Sequence, residues 1–320
     1  HVYTALNEIS LAQEALLIAF ASPDVFIEEK REILLQYLQI AAVNPDLNPM
    51  VEALLEAALG QHPKSAELNM LAADFEQGQG RIDAAIMHTK AAIEANPADP
   101  STWTNLIALD ADLGRFEDMF SHAAQAMDLF PLEANFAYYA GVAAIQLGDF
   151  TTVISVLERG IGAVLDAPEM EGLMQGMLGD ALHATSNARR AFDAYEKSLE
   201  LLPDNPTVLN NYAYYLAEAN ENLPLALELS TRLMEVAPLE PNFMDTHAWA
   251  LYKNGQYPEA LDFITQALYQ SENQGPAFWD HDGDIRWAMG DVEGALSSWQ
   301  RALEAGGDAD KLNAKIRACQ

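Results

Sequence analysis

Cysteine and basic residues are both scarce in this sequence. Cys319 is the single cysteine among 320 residues, which excludes an internal disulfide framework and a cysteine-based zinc site. Lys and Arg number 17 against 48 Asp and Glu, giving a formal net charge of -31 and a pI near 4.3. Such charge repels nucleic acid and anionic lipid and favours cationic partners, although acid excess also serves solubility alone.

Long hydrophobic runs are missing as well. The longest candidate, Ala15–Ala21, is broken by Ser22-Pro23-Asp24, and no run approaches the roughly 20 residues that a membrane-spanning helix needs. The sequence predicts no transmembrane segment. Because the chain begins at His1 rather than Met, we expect a further N-terminal segment with room for a signal peptide or a lipid anchor.

Aromatic residues make up only 9% of a chain that is half apolar, and most of its 15 prolines lie between apolar stretches rather than within them. Ala and Leu dominate the apolar positions. This composition is typical of stacked helices.

A glycine recurs with a fixed period. Gly80, Gly114 and Gly148 lie 34 residues apart, and Gly255 and Gly290 are separated by 35. A period of this length predicts a helix-turn-helix unit that cannot bury its apolar face alone and must stack on its neighbours.

Small residues and proline complete each unit. In the unit with Gly80, Ala85 and Ala92 lie seven residues apart in the second helix, and Pro97 follows. Small side chains let two helices approach closely, and a proline cannot continue the hydrogen-bond ladder of the helix before it.

These features resemble the tetratricopeptide (TPR) repeat family, whose signature is matched in one unit by Trp103, Leu106, Ala126 and Pro131. The resemblance implies an all-α, right-handed superhelical solenoid. Later units carry further matches: Leu178, Gly179, Ala191, Tyr195 and Pro203, then Trp279, Gly283, Ala295, Trp299 and Ala302.

The repeats predict four segments along the chain. Residues 1–65 are degenerate helical repeats, 66–171 and 172–306 are two TPR subarrays, and 307–320 form a capping helix with Leu312 and Ile316 on one face. An insertion at Ile161–Glu171 marks the boundary between the subarrays. The seven predicted units start near Ala66, Asp99, Ala134, Gly172, Pro206, Pro241 and Pro276.

Three stretches of the last 115 or so residues carry a more specific resemblance. Leu209–Leu216, Asp245–Tyr252 and His281–Asp284 look like the C-terminal half of bacterial cell-envelope TPR lipoproteins. This implies a bacterial scaffold or assembly factor, placed in the periplasm or anchored at the outer membrane rather than in the cytoplasm.

Catalytic and metal-binding patterns are weak. The histidines are scattered, without the i, i+4 spacing of a helical zinc pair. Asp280–Asp284 places its glycine fourth rather than sixth, which departs from a calcium loop, and in the repeat register Gly283 is a packing residue of a first helix. We therefore predict no metal, no cofactor and no enzymatic activity.

The first helices of the repeats line the concave groove in the family that this chain resembles. The positions in register are acidic and aromatic, which predicts a groove for a protein or an extended, basic peptide. The alternatives are that the aromatics only pack between helices, or that the chain is a spacer subunit held by its convex face or N-terminal repeats. The predicted groove residues are Asp180, His183, Asn210, Tyr214, Asp245, Trp249, Tyr252, Asp280, Asp284 and Trp287.

Overall fold

The computed structural model describes residues 9–271 and 275–319, so the first eight positions of the predicted 1–65 segment, part of 172–306 and the last residue of 307–320 lie outside it. The chain divides into two compact units that meet at Leu165 and Asp166. We call them the N-terminal and C-terminal units.

The N-terminal unit consists of helices packed in sequence order. They are α1 Ile9–Ala21, α2 Ile27–Ala41, a 3-10 turn Pro45–Leu47, α3 Asn48–Gln61, α4 Ala66–Gly78, α5 Ile82–Ala95, α6 Pro100–Asp112, α7 Phe116–Leu129, α8 Ala134–Gln146 and α9 Phe150–Ile161. Three of these helices, α1 to α3, lie before Ala66, in the segment predicted to be helical.

The C-terminal unit continues the same pattern and ends on a lone helix. Its helices are α10 Pro168–Ala184, α11 Ala188–Leu201, α12 Pro206–Ala219, α13 Leu223–Val236, α14 Pro241–Lys253, α15 Tyr257–Gln270, α16 Pro276–Ala288, α17 Val292–Glu304 and α18 Ala309–Ala318. The prediction of an all-α fold of stacked helical pairs is confirmed. None of the described helices is long and apolar enough to span a bilayer.

Proline starts most first helices, and in two of these a side chain also caps the helix. Pro100 and Pro206 occupy the first helical turn, where the missing N–H costs nothing. Asp99 and Asn205 cap these helices by accepting hydrogen bonds from Ser101 N and Val208 N. The predicted start at Gly172 is wrong by four residues: α10 begins at Pro168, which takes the same first-turn position.

The periodic glycines form the turn inside each pair. Gly80 has φ of +73° and its counterparts are similar, a backbone conformation that is costly for residues with a Cβ. Where the period lacks a glycine, Ser186 and Asn220 take positive φ instead. The glycine period therefore marks a backbone requirement of the turn.

Within a pair, a residue of the first helix faces a residue sixteen positions later in the second. A Cβ added to Gly283 would lie within 3.0 Å of the ring of Trp299, and one added to Gly179 would meet Tyr195 in the same way. At the same sequence spacing, Ala213 and Leu229, Ala248 and Ile264, and Ile107 and Ala123 are all buried, and none of them is aromatic. In the two pairs with Tyr195 and Trp299, the first helix carries glycine.

The last pair is covered by α18. Leu312 is buried among Ala295, Trp299 and Ala302, and Ile316 packs beside them. The capping role of this helix stays a prediction, which these contacts favour.

We expect Gly283→Ala to lower the melting temperature. The methyl group gains about 1 kcal/mol of helix propensity, but displacing the buried Trp299 ring costs about 1–3 kcal/mol. Thermal unfolding followed by circular dichroism measures the difference.

The matched control is Gly78→Ala, where a Cβ would meet nothing within 4 Å, so its melting temperature should hold or rise. In a Trp299→Leu background, which imitates the Ala213–Leu229 pair, Gly283→Ala should no longer destabilise. Equal melting temperatures of Gly283→Ala and the native chain would contradict the packing argument.

Candidate functional site

The first helices of the C-terminal unit pack directly on one another, α12 on α14 and α14 on α16. Polar side chains join these helices across a separation of about one repeat. Asn211 reaches Asp180, Trp249 reaches Glu218 and His281 reaches Asp245, over 31, 31 and 36 residues. Of the predicted groove residues, Asp180, Asp245 and Trp249 are joined to a neighbouring first helix in this way. We call the side chains along the first helices of the C-terminal unit, from Asp180 on α10 to Trp287 on α16, the first-helix face.

The row begins at α10 and α12. Asp180 accepts hydrogen bonds from the Tyr195 hydroxyl at 2.6 Å and from Asn211 Nδ2 at 2.8 Å. The His183 ring stacks on Tyr215 with centroids 3.4 Å apart. Burial raises the pKa of Asp180 and lowers that of His183, against the opposing effects of their partners. Asp180 therefore joins the second helix of its own pair to the first helix of the next pair.

Asn210 lies next to this cluster. Its amide donates to Asn211 Oδ1 at 3.0 Å, while its own Oδ1 is buried and has no hydrogen-bond partner among the described residues. The Asn210 side chain is thus held by Asn211, and its acceptor oxygen is buried and not exposed to solvent.

An aromatic stack occupies the centre of the face. The His281 ring lies 4.1 Å from Trp249, which in turn stacks on Tyr252 at 4.9 Å. His281 is also held by Asp245, with Nδ1 and Oδ1 2.8 Å apart. Asp245 is only 7% exposed and Trp249 6%. Their side chains shape the face from within rather than projecting from it.

The charge of His281 depends on this arrangement. Burial lowers its pKa, but the charge and hydrogen bond of Asp245 raise it more, so that the pKa lies above its ordinary value. Protonated His281 neutralises Asp245 and places a cation against Trp249.

Two further groups border the stack. Trp249 Nε1 donates to Glu218 at 2.6 Å, and the Lys253 ammonium lies 5.0 Å from the centre of the Trp249 rings. Tyr214 lies 6.3 Å from His281. Burial, together with the charges of Glu218 and Asp245, raises the pKa of Tyr214, so its hydroxyl stays protonated.

Asp280 and Asp284 lie one turn apart on α16 and share one lysine. Lys315 Nζ lies 2.5 Å from Asp280 Oδ1 and 2.7 Å from Asp284. Lys311 contacts Asp280 at 3.1 Å, and Trp299 Nε1 donates to Asp284 at 3.1 Å. Burial raises the pKa of Asp280, but Lys315 and Lys311 lower it more, so the group stays ionised.

Trp287 is the most open aromatic of the predicted set, with 43% of its surface exposed. Its ring lies 6.2 Å from Trp299. Tyr214 and Tyr252 are half-buried. Trp287 is thus the open aromatic of the face, whereas the side chains of Asp280 and Asp284 are only 13% and 16% exposed and are paired with Lys315.

The Asp280–Asp284 segment lies within α16, as its repeat register predicts. Its acids diverge around the helix: Asp280 and Asp284 face α18, while Asp282 is buried against Arg286 and Ser298 at 2.8 and 2.5 Å. Within the described ranges, no group of three or more potential ligands is arranged to hold a metal ion.

Sequence reasoning missed Glu218, Asn211 and the two lysines of α18 as members of this face. A signal existed, because each bonds to a residue about one repeat away: 31 residues separate Lys315 from Asp284 and 35 separate it from Asp280. Complementary polar residues at this spacing identify pairs that stacking brings together.

Comparison with known proteins gives the following matches. A family model described as tetratricopeptide repeat matches residues 52–100, which cover most of α3 and the pair α4–α5. The mouse (Mus musculus) tetratricopeptide repeat protein 21A is 28% identical over 120 residues, 37% of this chain. The match spans only 9% of that relative's length.

Among solved structures, a tetratricopeptide repeat protein from Parabacteroides merdae superposes with a TM-score of 0.54 and 16% identity. The match covers 79% of this chain and 98% of that one. At this identity the similarity concerns the fold. Residues 52–100 are thus similar to a tetratricopeptide repeat, a further stretch of the chain is similar to a tetratricopeptide repeat protein, and the fold of stacked helical pairs is shared with a solved structure of that kind.

Proposed function

We propose that this chain is a protein-interaction scaffold whose C-terminal unit binds an extended, lysine- or arginine-rich peptide segment along its first-helix face. Asp280 and Asp284 receive the cationic side chains, and Trp287 supplies an aromatic surface beside them. Asp245, Trp249 and His281 act indirectly by fixing the shape of the face.

The observation that carries the proposal is the position of the Lys315 side chain. Its ammonium is shared between Asp280 and Asp284 and lies 5.9 Å from the centre of the Trp299 rings. Two carboxylates beside an aromatic face form a good receptor for an alkylammonium group. The chain's own lysine demonstrates that this receptor fits one.

The electrostatics of the whole chain favour the same partner. A net charge of -31 attracts cationic segments over a long range and speeds their encounter. Asp280 remains ionised because of its lysine partners. Aromatic and carboxylate groups together then select lysine or arginine over other side chains.

A peptide of eight lysines with blocked ends tests this reading. We expect the double variant Asp280→Asn/Asp284→Asn to bind it about tenfold more weakly than the native chain, and we expect binding to weaken as salt rises. Calorimetric titration or fluorescence anisotropy gives both quantities.

The control is Glu228→Gln/Glu235→Gln, which makes the same charge change at exposed positions of the second helix α13. It should alter affinity less than twofold, by long-range charge alone. If the two double variants bound octalysine equally, attraction would be due to overall charge and the groove proposal would fail.

A second candidate is a spacer subunit that makes its contacts through the N-terminal helices. It is favoured by exposed apolar side chains on α1, α2 and the segments after them, namely Ile18, Phe26, Ile40 and Val43. Such side chains on neighbouring elements are typical of contact surfaces. In this case partner binding would resist salt and would survive the Asp280→Asn/Asp284→Asn change.

The resemblance to bacterial cell-envelope TPR lipoproteins supports a role at the bacterial envelope, as an assembly factor held there by a lipid anchor on a preceding segment. Fractionation of the native cells, with antibody detection, tests this placement. Recovery in the cytoplasmic fraction would contradict it.

The protonation of two histidines offers a test of the central stack. Burial lowers the pKa of His247 to about 4, whereas Asp245 raises that of His281 above its ordinary value. We expect Asp245→Asn to lower the pKa of His281, because burial remains while the neighbouring charge is lost. Imidazole NMR resonances followed against pH report both groups.

His247 is the internal control, because its ring bonds to Ser230 Oγ at 2.9 Å and not to Asp245. The linkage has opposite signs at the two sites. His281 contributes stability that is present below pH 6.5 and lost as pH rises through its folded pKa; His247 contributes stability that is lost as pH falls from 6.5 towards about 4. An unchanged His281 titration in Asp245→Asn would contradict the assigned pairing.

A further inference from the structure

Helix α18 occupies the place of a further first helix. It begins at Ala309, 33 residues after the start of α16 at Pro276, which is close to the repeat period. It packs on α17, as a first helix packs on the pair before it. The chain therefore supplies one more first helix with its own side chains turned to the acidic end of the face.

Lysines make the contact between α18 and that end of the face. Lys315 is held by Asp280 and Asp284, and Lys311 by Asp280. These are the carboxylates that the proposed function assigns to a cationic partner. An external lysine or arginine cannot bind both of them at full strength while Lys315 remains between them, because one ammonium already shares the two groups.

The anchoring of α18 is slight compared with that of the other helices. The helix has ten residues, and Leu312 is its one buried residue. A helix of this length is marginally stable on its own, and the terminal element of an array opens at low cost. A competing cation thus has only a few contacts to replace.

We propose that α18 is an intramolecular occupant of the acidic end of the first-helix face, and that a lysine-rich partner displaces it. This inference rests on the proposed function of the face. Binding then releases α18 from the face, and removal of the Lys315 ammonium strengthens binding of the external peptide.

The two lysine contacts predict a specific affinity change. Lys315→Gln should bind octalysine about 3–10-fold more tightly than the native chain, because Asp280 and Asp284 lose their internal counter-ion. Arg317→Gln is the matched control: it makes the same charge change on the same helix, at an exposed residue, and should shift affinity less than twofold. Octalysine affinity is measured for the native chain and both variants in one buffer.

Hydrogen exchange on the native chain provides a readout independent of the variants. At saturating octalysine the amides of α18 should exchange faster, while those of α14 should not. Unchanged protection of α18 would overturn the displacement.

The outcomes separate this inference from the function on which it rests. If Asp280→Asn/Asp284→Asn weakens octalysine binding but Lys315→Gln and Arg317→Gln bind equally, the face binds cations and α18 does not compete. If the aspartate double variant leaves binding unchanged, both proposals fail.

Discussion

The close approach of two helices within each pair is the constraint on which the rest of the molecule depends. A helical pair has too little apolar surface to be stable alone, so each pair must also present a flat, closely spaced face to the next. Close spacing limits the side-chain volume available at the crossing point. Two pairs satisfy that limit by placing a large aromatic side chain on the second helix opposite a glycine, which has no side chain, on the first. These are Gly179 with Tyr195 and Gly283 with Trp299.

This packing explains why acidic and aromatic residues on the first-helix face serve two purposes. Trp299 fills the space left by Gly283, yet its Nε1 reaches the face and donates to Asp284. Tyr195 does the same with Asp180. An aromatic ring can be apolar in its body and polar at its edge, so residues that close the core also fix the carboxylates of the groove. A residue with a polar atom at the edge of its ring can therefore pack in the core and also hold a carboxylate of the face.

The fold could be predicted from the sequence because its determinants are local. The glycine period and the helix-starting prolines act through backbone geometry within a few residues, and they place the helices to within about four positions, even at Pro168. The burial of the individual side chains was harder to predict. Repeat register indicates that Asp245 and Trp249 belong to the first-helix face, but burial depends on partners such as His281 and Glu218 in adjacent repeats, and helical periodicity contains no information on those.

The lysines of α18 show why ion pairs between repeats matter in a chain with few basic residues. With 17 basic residues against 48 acidic ones, cations are far fewer than carboxylates, and a site that holds two lysines contrasts strongly with the acidic composition of the chain. Overall repulsion among the acids favours any arrangement that brings a cation close, whether it belongs to the chain or to a partner. Asp280 and Asp284 gain nearly the same electrostatic benefit from either source. The choice between them then depends on the small apolar contact of Leu312 and on the number of cations that the partner offers at once, because a multivalent segment can replace several weak contacts together.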